Sequence, residues 1–477
     1  FFHAEAGIRD AQESRGLGDV YKRQFVILLL VASALFFTLY FGFPNIRYFL
    51  TSINVVRGKY DSVEKSDSKS EEGEVSHFQA LATAVSGTVG NGNIAGVALA
   101  IALGGPGATF WMIICGLLGM STKFVECTLG VYYRDVDKDG VVYGGPMYYI
   151  SRGLKSKGFK TLGTVAASLF AVFCIGGSFG GGNAAQSNQA TIVIKNLFGY
   201  ESTFAGAMIG IVLATLVGII IIGGIKRIAS VTEKVVPFMA LLYILACIYI
   251  LGINFSFIDD AIGLIFSEAF NPTAIGVGGI IGVLMVGFQR AAFSNEAGAG
   301  SASIAHSAVK TKYAASEGLV ALLEPFIDTV VICTMTALVI ITFNSTGAFV
   351  YGGDGTGAVL IDGVVYEGAA ITQMAFAEYI PGSDIFLTVA VVLFAVSTMI
   401  SWSYYGLQSW KFLFGKGNIA DLLYKGLFLI FIVFPRLFLH FLFVLCFLAS
   451  DIGNVAYCST NNIFDKFCGK KTKEIKF

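Results

Sequence analysis

Charged residues are scarce in this chain. Only 13% of its 477 residues are Asp, Glu, Lys or Arg, whereas soluble domains carry about 25%. The 32 basic and 32 acidic residues cancel, so there is no excess charge to attract nucleic acid or another polyanion. With 55% hydrophobic residues, the composition is that of a membrane protein, and the lipid bilayer is its expected partner.

Histidine is rare and cysteine lacks any functional pattern. The four histidines are dispersed, and the eight cysteines form no C-x-x-C pair and no metal-binding spacing. Most of the cysteines lie inside apolar runs, where cysteine behaves as a small hydrophobic residue. No cluster of His, Cys and carboxylate residues offers a nucleophile beside a base. We therefore expect no enzyme, no transition-metal site and no organic cofactor.

Long apolar segments dominate the chain, and crossing a bilayer requires about 17–25 residues. The candidate spans are 25–42, 77–103, 107–133, 162–182 with a polar extension to 198, 202–224, 230–252, 274–305, 317–343, 384–409 and 420–449. Basic residues are concentrated in every second connection, which is typical of cytoplasmic loops. The predicted topology is a multi-pass plasma-membrane protein with its N-terminus outside and its basic loops in the cytoplasm.

The two ends of the chain differ from the rest. Residues 1–24 are polar, lack the apolar core of a secretory signal and stop abruptly before Phe25, so we expect this segment to be non-native sequence. After Val433 the chain becomes rich in Phe and Leu, and from Ser450 it turns polar. We expect residues 434–477 to be an aberrant C-terminus caused by a shifted frame or truncation; a genuinely shorter variant is the alternative.

Two apolar spans are interrupted by small and polar residues. The first interruption covers residues 87–93, and the second covers 287–298. Lipid offers no partners for freed backbone groups, so such a break must be buried in protein or line a cavity. Two interrupted helices in corresponding places are typical of a transporter's binding site.

Each interrupted span is the first span of a block, and the two blocks have a similar arrangement of spans. Residues 25–76 form an extra N-terminal span and loop, 77–252 the first repeat, and 274–433 an incomplete second repeat that is one span short. The predicted topology starts the two interrupted spans on opposite sides of the membrane, as an inverted repeat requires. The predicted fold is an all-α polytopic membrane protein, a 5+5 inverted-repeat transporter whose last span is missing or altered.

The first interruption has the groups that a zwitterion needs. Freed helix N-termini offer N–H groups to a carboxylate, and freed C-termini offer carbonyl oxygens to an ammonium. Glycine allows a close backbone approach, and Thr and Asn add neutral dipoles. The candidate substrate-binding residues here are Gly87, Thr88, Gly90, Asn91, Gly92 and Asn93. The alternative is a small-residue stripe for helix packing, which the two asparagines would serve poorly.

The second interruption contributes further candidates. We expect Gln289, Ser294 and Asn295 to face the substrate. Arg290 and Glu296 are ionisable, and a lone charge at that depth would be expensive. A gate or proton-sensitive site is one interpretation; a structural ion pair is the other and is favoured for Arg290.

Three further polar features lie inside spans. The adjacent hydroxyls of Ser397 and Thr398 offer hard oxygen ligands to a dehydrated Na⁺, although Ser and Thr in membrane helices commonly bond back to the preceding turn. In the glycine-rich stretch 176–183, Phe179 is a candidate lid over the pocket; a close helix crossing is the alternative. Glu324 and Asp328 lie four residues apart and suggest a proton relay, but pairing with Lys310 or Lys312 is favoured.

Several long motifs resemble the alanine or glycine:cation symporter family. The matching passages are residues 78–84, 90–98, 104–112, 144–149, 295–301 with His306, and 401–406. The similarity extends from about Phe25 to Val433, and the family pattern has Thr where this chain has Asn91. The resemblance implies Na⁺-coupled import of a small neutral amino acid on the inverted-repeat fold of leucine-type transporters. It also implies a Na⁺ site at Ser397 and Thr398 and a pocket wall at Trp402, for which an interfacial tryptophan is the alternative.

Two other functions remain open at this point. Proton coupling through Glu296 or Glu324 would replace Na⁺, and a channel would equilibrate its solute without accumulating it. Lys123 and Glu126, on the span 107–133, are expected to form a local i,i+3 pair near the cytoplasmic end. Nothing in the sequence pattern assigns an oligomeric state.

Overall fold

The computed structural model describes residues 26–61, 73–200, 202–272, 279–353 and 355–434. The expected non-native segment 1–24 and, apart from Phe434, the expected aberrant segment 434–477 lie outside these residues. The described chain is mostly helical, and its strands form two short antiparallel hairpins. These are β1 (Asp135–Val136) with β2 (Val142–Tyr143), and β3 (Val359–Ile361) with β4 (Val364–Tyr366).

The helices before residue 272 surround the first interruption. They are α1 (Val26–Tyr40), α2 (Pro44–Arg47), α3 (Phe49–Val56), α4 (His77–Thr88), α5 (Val97–Gly104), α6 (Gly107–Tyr132), α7 (Pro146–Ser156), α8 (Lys160–Phe179), α9 (Ala185–Phe198), α10 (Thr203–Ile221), α11 (Gly224–Ile253) and α12 (Ile258–Phe270). Wider π-helical turns at Gly92–Gly96 and Gly180–Ala184 precede α5 and α9, and Phe255–Phe257 is a 3₁₀ turn.

The later helices surround the second interruption. They are α13 (Gly279–Asn295), α14 (Ala302–His306), α15 (Ala314–Ala321), α16 (Leu323–Pro325), α17 (Thr334–Phe343), α18 (Ala369–Tyr379), α19 (Ser383–Phe414) and α20 (Asn418–Val433). A π-helical stretch, Phe326–Cys333, joins α16 to α17, and Asn344–Thr346 is a 3₁₀ turn.

Seven of the predicted spans coincide with candidate membrane spans within the described part of the chain. Six helices are long and apolar enough to cross a membrane, and the bent pair α4 and α5 would make a seventh. Three predicted spans, 25–42, 274–305 and 420–449, contain shorter described helices: α1, α13 and α20. Each of these three segments extends beyond the described residues, and 274–305 is also interrupted. The pairing of two blocks as inverted repeats stays a prediction.

Two helices form the centre of the bundle. α6 packs against α13, α14 and α15, while α19 packs against α4, α8, α9 and α11. Close packing requires small residues at these crossings. A Cβ on Gly287 would lie 2.6 Å from the carbonyl oxygen of Ala108, so that glycine allows α13 to approach α6.

The first interruption lies where the sequence predicts it. α4 begins with a capping box, in which Ser76 Oγ accepts from the Gln79 N–H (3.2 Å) and Gln79 Oε1 accepts from the Ser76 N–H (3.1 Å). The helix ends when Val89 turns to extended backbone, and the two parts of the span differ in direction by 51°. The freed N–H of Gly90 donates to Asn93 Oδ1 (2.8 Å).

The second interruption begins later than predicted. Residues 287–295 are continuous helix, and the break covers residues 296–301. Glu296, Gly298 and Gly300 all have positive φ there, a conformation that glycine adopts at little cost and glutamate does not. The prediction that the break begins at Gly287 was wrong, because that glycine serves helix packing and not a backbone turn.

Candidate functional site

A small cavity borders both interruptions. Its volume is about 40 Å³, room for roughly three water molecules. The lining residues are Gly87, Thr88, Gly92, Phe170, Cys174, Gly177, Gly181, Gln186, Phe293, Glu296, Ala299, Ser301, Thr398 and Trp402. Of the substrate-binding and Na⁺-binding candidates predicted from the sequence, the structure brings five to this cavity: Gly87, Thr88, Gly92, Thr398 and Trp402.

Trp402 forms one wall of the cavity and is held in place from two sides. Its indole N–H donates to Glu296 Oε1 (2.9 Å), and Ser301 Oγ donates to the other carboxylate oxygen (2.5 Å). Gly182 also lies against the indole ring, because a Cβ added to Gly182 would be 2.3 Å from Trp402 Cγ. The indole therefore bridges the second interruption and the glycine-rich turn after α8.

Two buried polar side chains beside the cavity lack partners. Within the described residues, both side-chain polar atoms of Asn91 and the hydroxyl of Thr398 are buried without a hydrogen bond. Leaving such groups unsatisfied costs about 1–3 kcal/mol each, so these positions are suited to a polar ligand or an ion. The hydroxyl of Thr398 lies against the first interruption, because a Cβ on Gly90 would be 2.5 Å from its oxygen.

Ser397 differs from its neighbour. Its hydroxyl donates to the Phe394 carbonyl (2.9 Å), and its own carbonyl accepts from Ser86 Oγ (2.7 Å). The Ser397 hydroxyl therefore bonds to a carbonyl of its own helix, which the sequence analysis gave as the alternative to a Na⁺ ligand. The carbonyl of Ser397 still lies beside α4.

Asn91 reaches the cavity through its backbone and a neighbour. Its N–H donates to Gln186 Oε1 (3.4 Å), and Gln186 lines the cavity. The amide side chain is 5% exposed. The preceding residue, Gly90, donates its N–H to Asn93 Oδ1 (2.8 Å).

Asn93, Ser294 and Asn295 do not line the cavity, but they meet behind it. Asn93 Nδ2 and Ser294 Oγ both donate to the carboxylate of Asp328, at 2.7 and 2.8 Å. Asn295 Nδ2 donates to Thr329 Oγ1 (3.0 Å). Both interruptions are thus joined through one acidic residue on the π-helical stretch Phe326–Cys333.

Gln289 and Phe179 are not brought to the cavity. Gln289 lies on the continuous part of α13 and is half-buried. The ring of Phe179 packs on α20, 5.4 Å from the ring of Tyr424 and 4.8 Å from that of Phe431. Its position in this structure is that of a close helix crossing, the alternative to a lid.

Sequence reasoning offered the glycine-rich stretch 176–183 as a cover of the pocket but missed the part of the wall that precedes it on α8. Phe170, Cys174, Gly177 and Gly181 are spaced by four, three and four residues, so they share one face of α8 and the turn that follows it. That spacing was visible in the sequence. Phe293, on α13, gave no such signal, because its role depends on where the helix ends.

A buried ionic network lies beside the second interruption. Lys123 Nζ pairs with Glu324 Oε1 (2.9 Å), and both side chains are fully buried. His306 Nδ1 binds Glu317 Oε1 (2.5 Å), and its Nε2 lies 3.8 Å from Glu324 Oε2. His77, at the start of α4, pairs with the other oxygen of Glu317.

One sequence expectation about these charges was wrong: Glu324 pairs with Lys123 rather than with Lys310 or Lys312. Glu126 lies close enough to Lys123 for electrostatic attraction, as the i,i+3 spacing predicts. Its Oε1 also accepts from the N–H of Gly298 (2.7 Å). The hydrogen-bonding partners are far apart in sequence, so helix spacing alone could not identify them.

Comparison with known proteins assigns the class. The model of the sodium:alanine symporter family matches residues 13–463, and this chain belongs to that family. It is therefore a member of a family of amino-acid symporters, consistent with its membrane-length helices.

Individual relatives are similar along most of their length. The chain is 40% identical over 396 residues to the sodium/alanine symporter AgcS of Methanococcus maripaludis, covering 83% of this chain and 82% of that protein. It is 38% identical over 384 residues to the putative sodium/proton-dependent alanine carrier protein YrbD of Bacillus subtilis, covering 80% and 74%. It is 33% identical over 393 residues to the probable sodium/glutamine symporter GlnT of Bacillus subtilis, covering 81% and 74%.

Proposed function

We propose that this protein is a Na⁺-coupled symporter that imports a small neutral amino acid, alanine or glycine, across the plasma membrane by alternating access. The observation that carries the proposal is the set of unpaired polar groups of Asn91 and Thr398 beside a small cavity at a broken helix. Membership of the sodium:alanine symporter family supports Na⁺ as the coupling ion.

The carboxylate of the substrate needs hydrogen-bond donors, and its ammonium group needs acceptors. We assign its carboxylate to the peptide N–H groups of the first interruption, together with Asn91 and Gln186. Its ammonium would be held by carbonyl oxygens and by the carboxylate of Glu296, which lines the cavity. The ammonium then neutralises Glu296, and the coupling Na⁺ balances the remaining negative charge of the substrate carboxylate at membrane depth.

Side-chain size would be limited by the walls. The cavity of about 40 Å³ is lined by the rings of Trp402 and Phe293, and a Cβ on Gly92 would lie 3.5 Å from the ring of Phe293. A methyl group or hydrogen fits such a space better than the side chain of glutamine. The size of the cavity therefore favours alanine and glycine over glutamine, the amino acid in the name of the Bacillus relative, the probable sodium/glutamine symporter GlnT.

We place the Na⁺ between the first interruption and α19. The hydroxyl of Thr398 would be one ligand, and peptide carbonyls would complete the shell, because a hard cation prefers oxygen. The carbonyl of Ser397 is adjacent, and its hydroxyl could join only by giving up its bond to Phe394. Coupling then requires that Na⁺ and substrate each bind one conformation more tightly than the other.

Proton coupling is the second candidate. Glu296 faces the cavity, and Glu324 belongs to the buried network beside it. The name of YrbD mentions both sodium and protons. In this version a carboxyl group would take up the coupling proton, and no Na⁺ would be needed.

Uptake into proteoliposomes tests these alternatives. With an inward Na⁺ gradient we expect alanine to accumulate above equilibrium, and the larger amino acids glutamine and leucine to compete poorly. Accumulation driven by a pH gradient without Na⁺ would favour the proton version. Entry that never exceeds equilibrium, whatever the gradient, would indicate a channel and overturn symport.

A further inference from the structure

Two histidines and one glutamate join the inner ends of the two interrupted spans, and the proposed function uses none of the three. His77 is the first residue of α4, and His306 is the last residue of α14. Their Nδ1 atoms bind different oxygens of a single carboxylate, that of Glu317 on α15. We propose that these three residues form a proton-controlled latch, which holds the cytoplasmic side of the protein closed at low cytoplasmic pH and releases it at high pH.

The first argument concerns position. The backbone just before α4 pairs with the backbone just after α14, because Val75 and Val309 form a parallel bridge and the Lys310 N–H donates to the Val75 carbonyl (2.8 Å). The predicted topology places this end of both segments in the cytoplasm. His77 is 8% exposed, so protons can reach the latch from that side. Opening the cytoplasmic side requires these two segments to separate or to move together away from Glu317.

The second argument concerns charge. Glu317 and His306 are fully buried, and a buried carboxylate is costly unless a positive charge compensates it. Lys123 is engaged by Glu324 (2.9 Å), so the compensation of Glu317 depends on the histidines, whose charge changes near neutral pH. The closed latch therefore holds a proton more tightly than an open one, in which the three side chains are separated and hydrated. A conformation that holds a proton more tightly is favoured as the pH falls.

The surroundings of the latch are rich in negative charge. Glu324 Oε2 lies 3.8 Å from His306 Nε2, and Glu233 of α11 accepts from Gln79 Nε2 in the first turn of α4 (2.9 Å). The charged and titratable groups on the elements around the latch are Glu74, Lys123, Glu126, Cys127, Arg134, Glu233, Glu296, Glu324 and Tyr405. Carboxylates outnumber cations among these groups, so a proton on the latch reduces an excess of negative charge.

Cys127 on α6 is a native reporter of opening. Its side chain is fully buried in one cluster with Ala84 of α4, Ala302 of α14 and Ala321 of α15, the three helices that the latch joins. Separation of those helices would expose the thiol. Cys247 is buried in another cluster, on α11, and would stay protected. The ratio of the two alkylation rates therefore reports opening and compensates for the pH dependence that both thiols share.

The test is alkylation of the purified full chain by N-ethylmaleimide at pH 6 and pH 8, which bracket the titration of histidine, with the labelled peptides quantified by mass spectrometry. We expect the ratio of the Cys127 rate to the Cys247 rate to rise about fivefold between these values. In Glu317→Gln, which lacks the charge that holds the two imidazolium groups, the ratio should be high at both. An equal ratio at pH 6 and pH 8 in the unaltered protein would overturn the latch.

A second variant guards against loss of folding in Glu317→Gln. His77→Gln keeps the buried pair of His306 and Glu317 and removes only the histidine nearest the cytoplasm, and we expect it to reduce the rise in the ratio to less than about twofold. Glu233→Gln is the matched control, because Glu233 also binds the first turn of α4, through an amide that does not titrate. The control should keep the full response. A full response in His77→Gln would contradict the assignment.

This inference rests on the alternating access of the proposed function and adds control by cytoplasmic pH, so that an acidic cytoplasm slows the release of the amino acid. Na⁺-driven alanine uptake by the same preparation separates the two. A pH-dependent ratio without such uptake would support the latch and refute symport. Na⁺-driven uptake with a ratio that ignores pH would support symport and refute the latch.

Discussion

At the scale of single residues, neighbours in sequence have different roles. Ser397 and Thr398 are adjacent hydroxyl residues, yet only the Ser397 hydroxyl is bonded to its own helix, while that of Thr398 is buried and unpaired within the described chain. The sequence predicts both as cation ligands. Which hydroxyl turns toward the first interruption depends on the rotation of α19 in the bundle.

Thr398→Val should therefore impair Na⁺ binding far more than Ser397→Ala does. Valine keeps the volume and removes an oxygen, which we expect to cost about 1–2 kcal/mol, or a five- to thirtyfold higher Na⁺ concentration for half-maximal uptake. Ser397→Ala should change that concentration less than threefold. Equal effects of the two variants in Na⁺-titrated uptake would remove Thr398 from the ion site.

Gly182 gives a second prediction at this scale. Its Cβ in Gly182→Ala would lie 2.3 Å from Trp402 Cγ, so the indole must shift. We expect alanine affinity to fall at least tenfold in binding measurements.

Gly180→Ala is the matched control on the same turn, because a Cβ there would meet nothing within 4 Å. Normal alanine affinity in Gly182→Ala would show that the position of Trp402 does not shape the pocket.

At the scale of elements, the two interruptions differ in how they arise. The first contains its own signal, because Gly90 and Asn93 lie within the break and satisfy one another. The second begins only at Glu296, and its freed N–H groups are bound by Asn295 Oδ1 and by Glu126 from α6. A break that is stabilised by another helix cannot be located from its own residues alone.

The pair between α6 and α16 should be essential to stability. Removing one partner of a buried ion pair leaves an uncompensated charge and costs about 3–5 kcal/mol. We expect Lys123→Met to lower the Tm of the purified protein by several degrees.

Adding Glu324→Gln to Lys123→Met should recover part of the lost Tm, because the carboxylate that Lys123→Met leaves buried without its partner is then removed. Additive losses in this double-mutant cycle would contradict the pairing.

At the scale of the whole molecule, the charged loops predict the orientation. Lys155 and Lys157 lie at the end of α7, on one of the basic connections, whereas the connection that contains α12 has no basic residue. By the distribution of positive charge, the first belongs in the cytoplasm and the second outside.

Reporter fusions check this orientation. Green fluorescent protein fused after Gly158 should fluoresce, and alkaline phosphatase fused after Asn271 should be active, because each reporter works on one side of the membrane only. The opposite pattern would reverse the topology and turn the proposed import into export.

Much of the architecture can be predicted from short segments of the sequence, each considered separately. Runs of apolar residues predict ten spans, and seven of them coincide with helices, or with the bent pair, that are long and apolar enough to cross a membrane. Such spans can be predicted locally because a bilayer requires sufficient length and hydrophobicity of each helix separately. The family motifs are short contiguous stretches of sequence, so they can be recognised without knowledge of the fold. The glycine and asparagine residues of the first interruption also act within a few residues of one another.

Only the tertiary structure decides which polar groups meet. Lys123 and Glu324 are 201 residues apart, and Asn93 and Asp328 are 235 apart. Burial leaves no water to solvate such charges, so the sequence predicts that they need partners. Which residues become the partners cannot be predicted from the sequence. Their identity follows from how α6, α13 and the stretch Phe326–Cys333 pack together, which is a property of the assembled bundle and of no single segment.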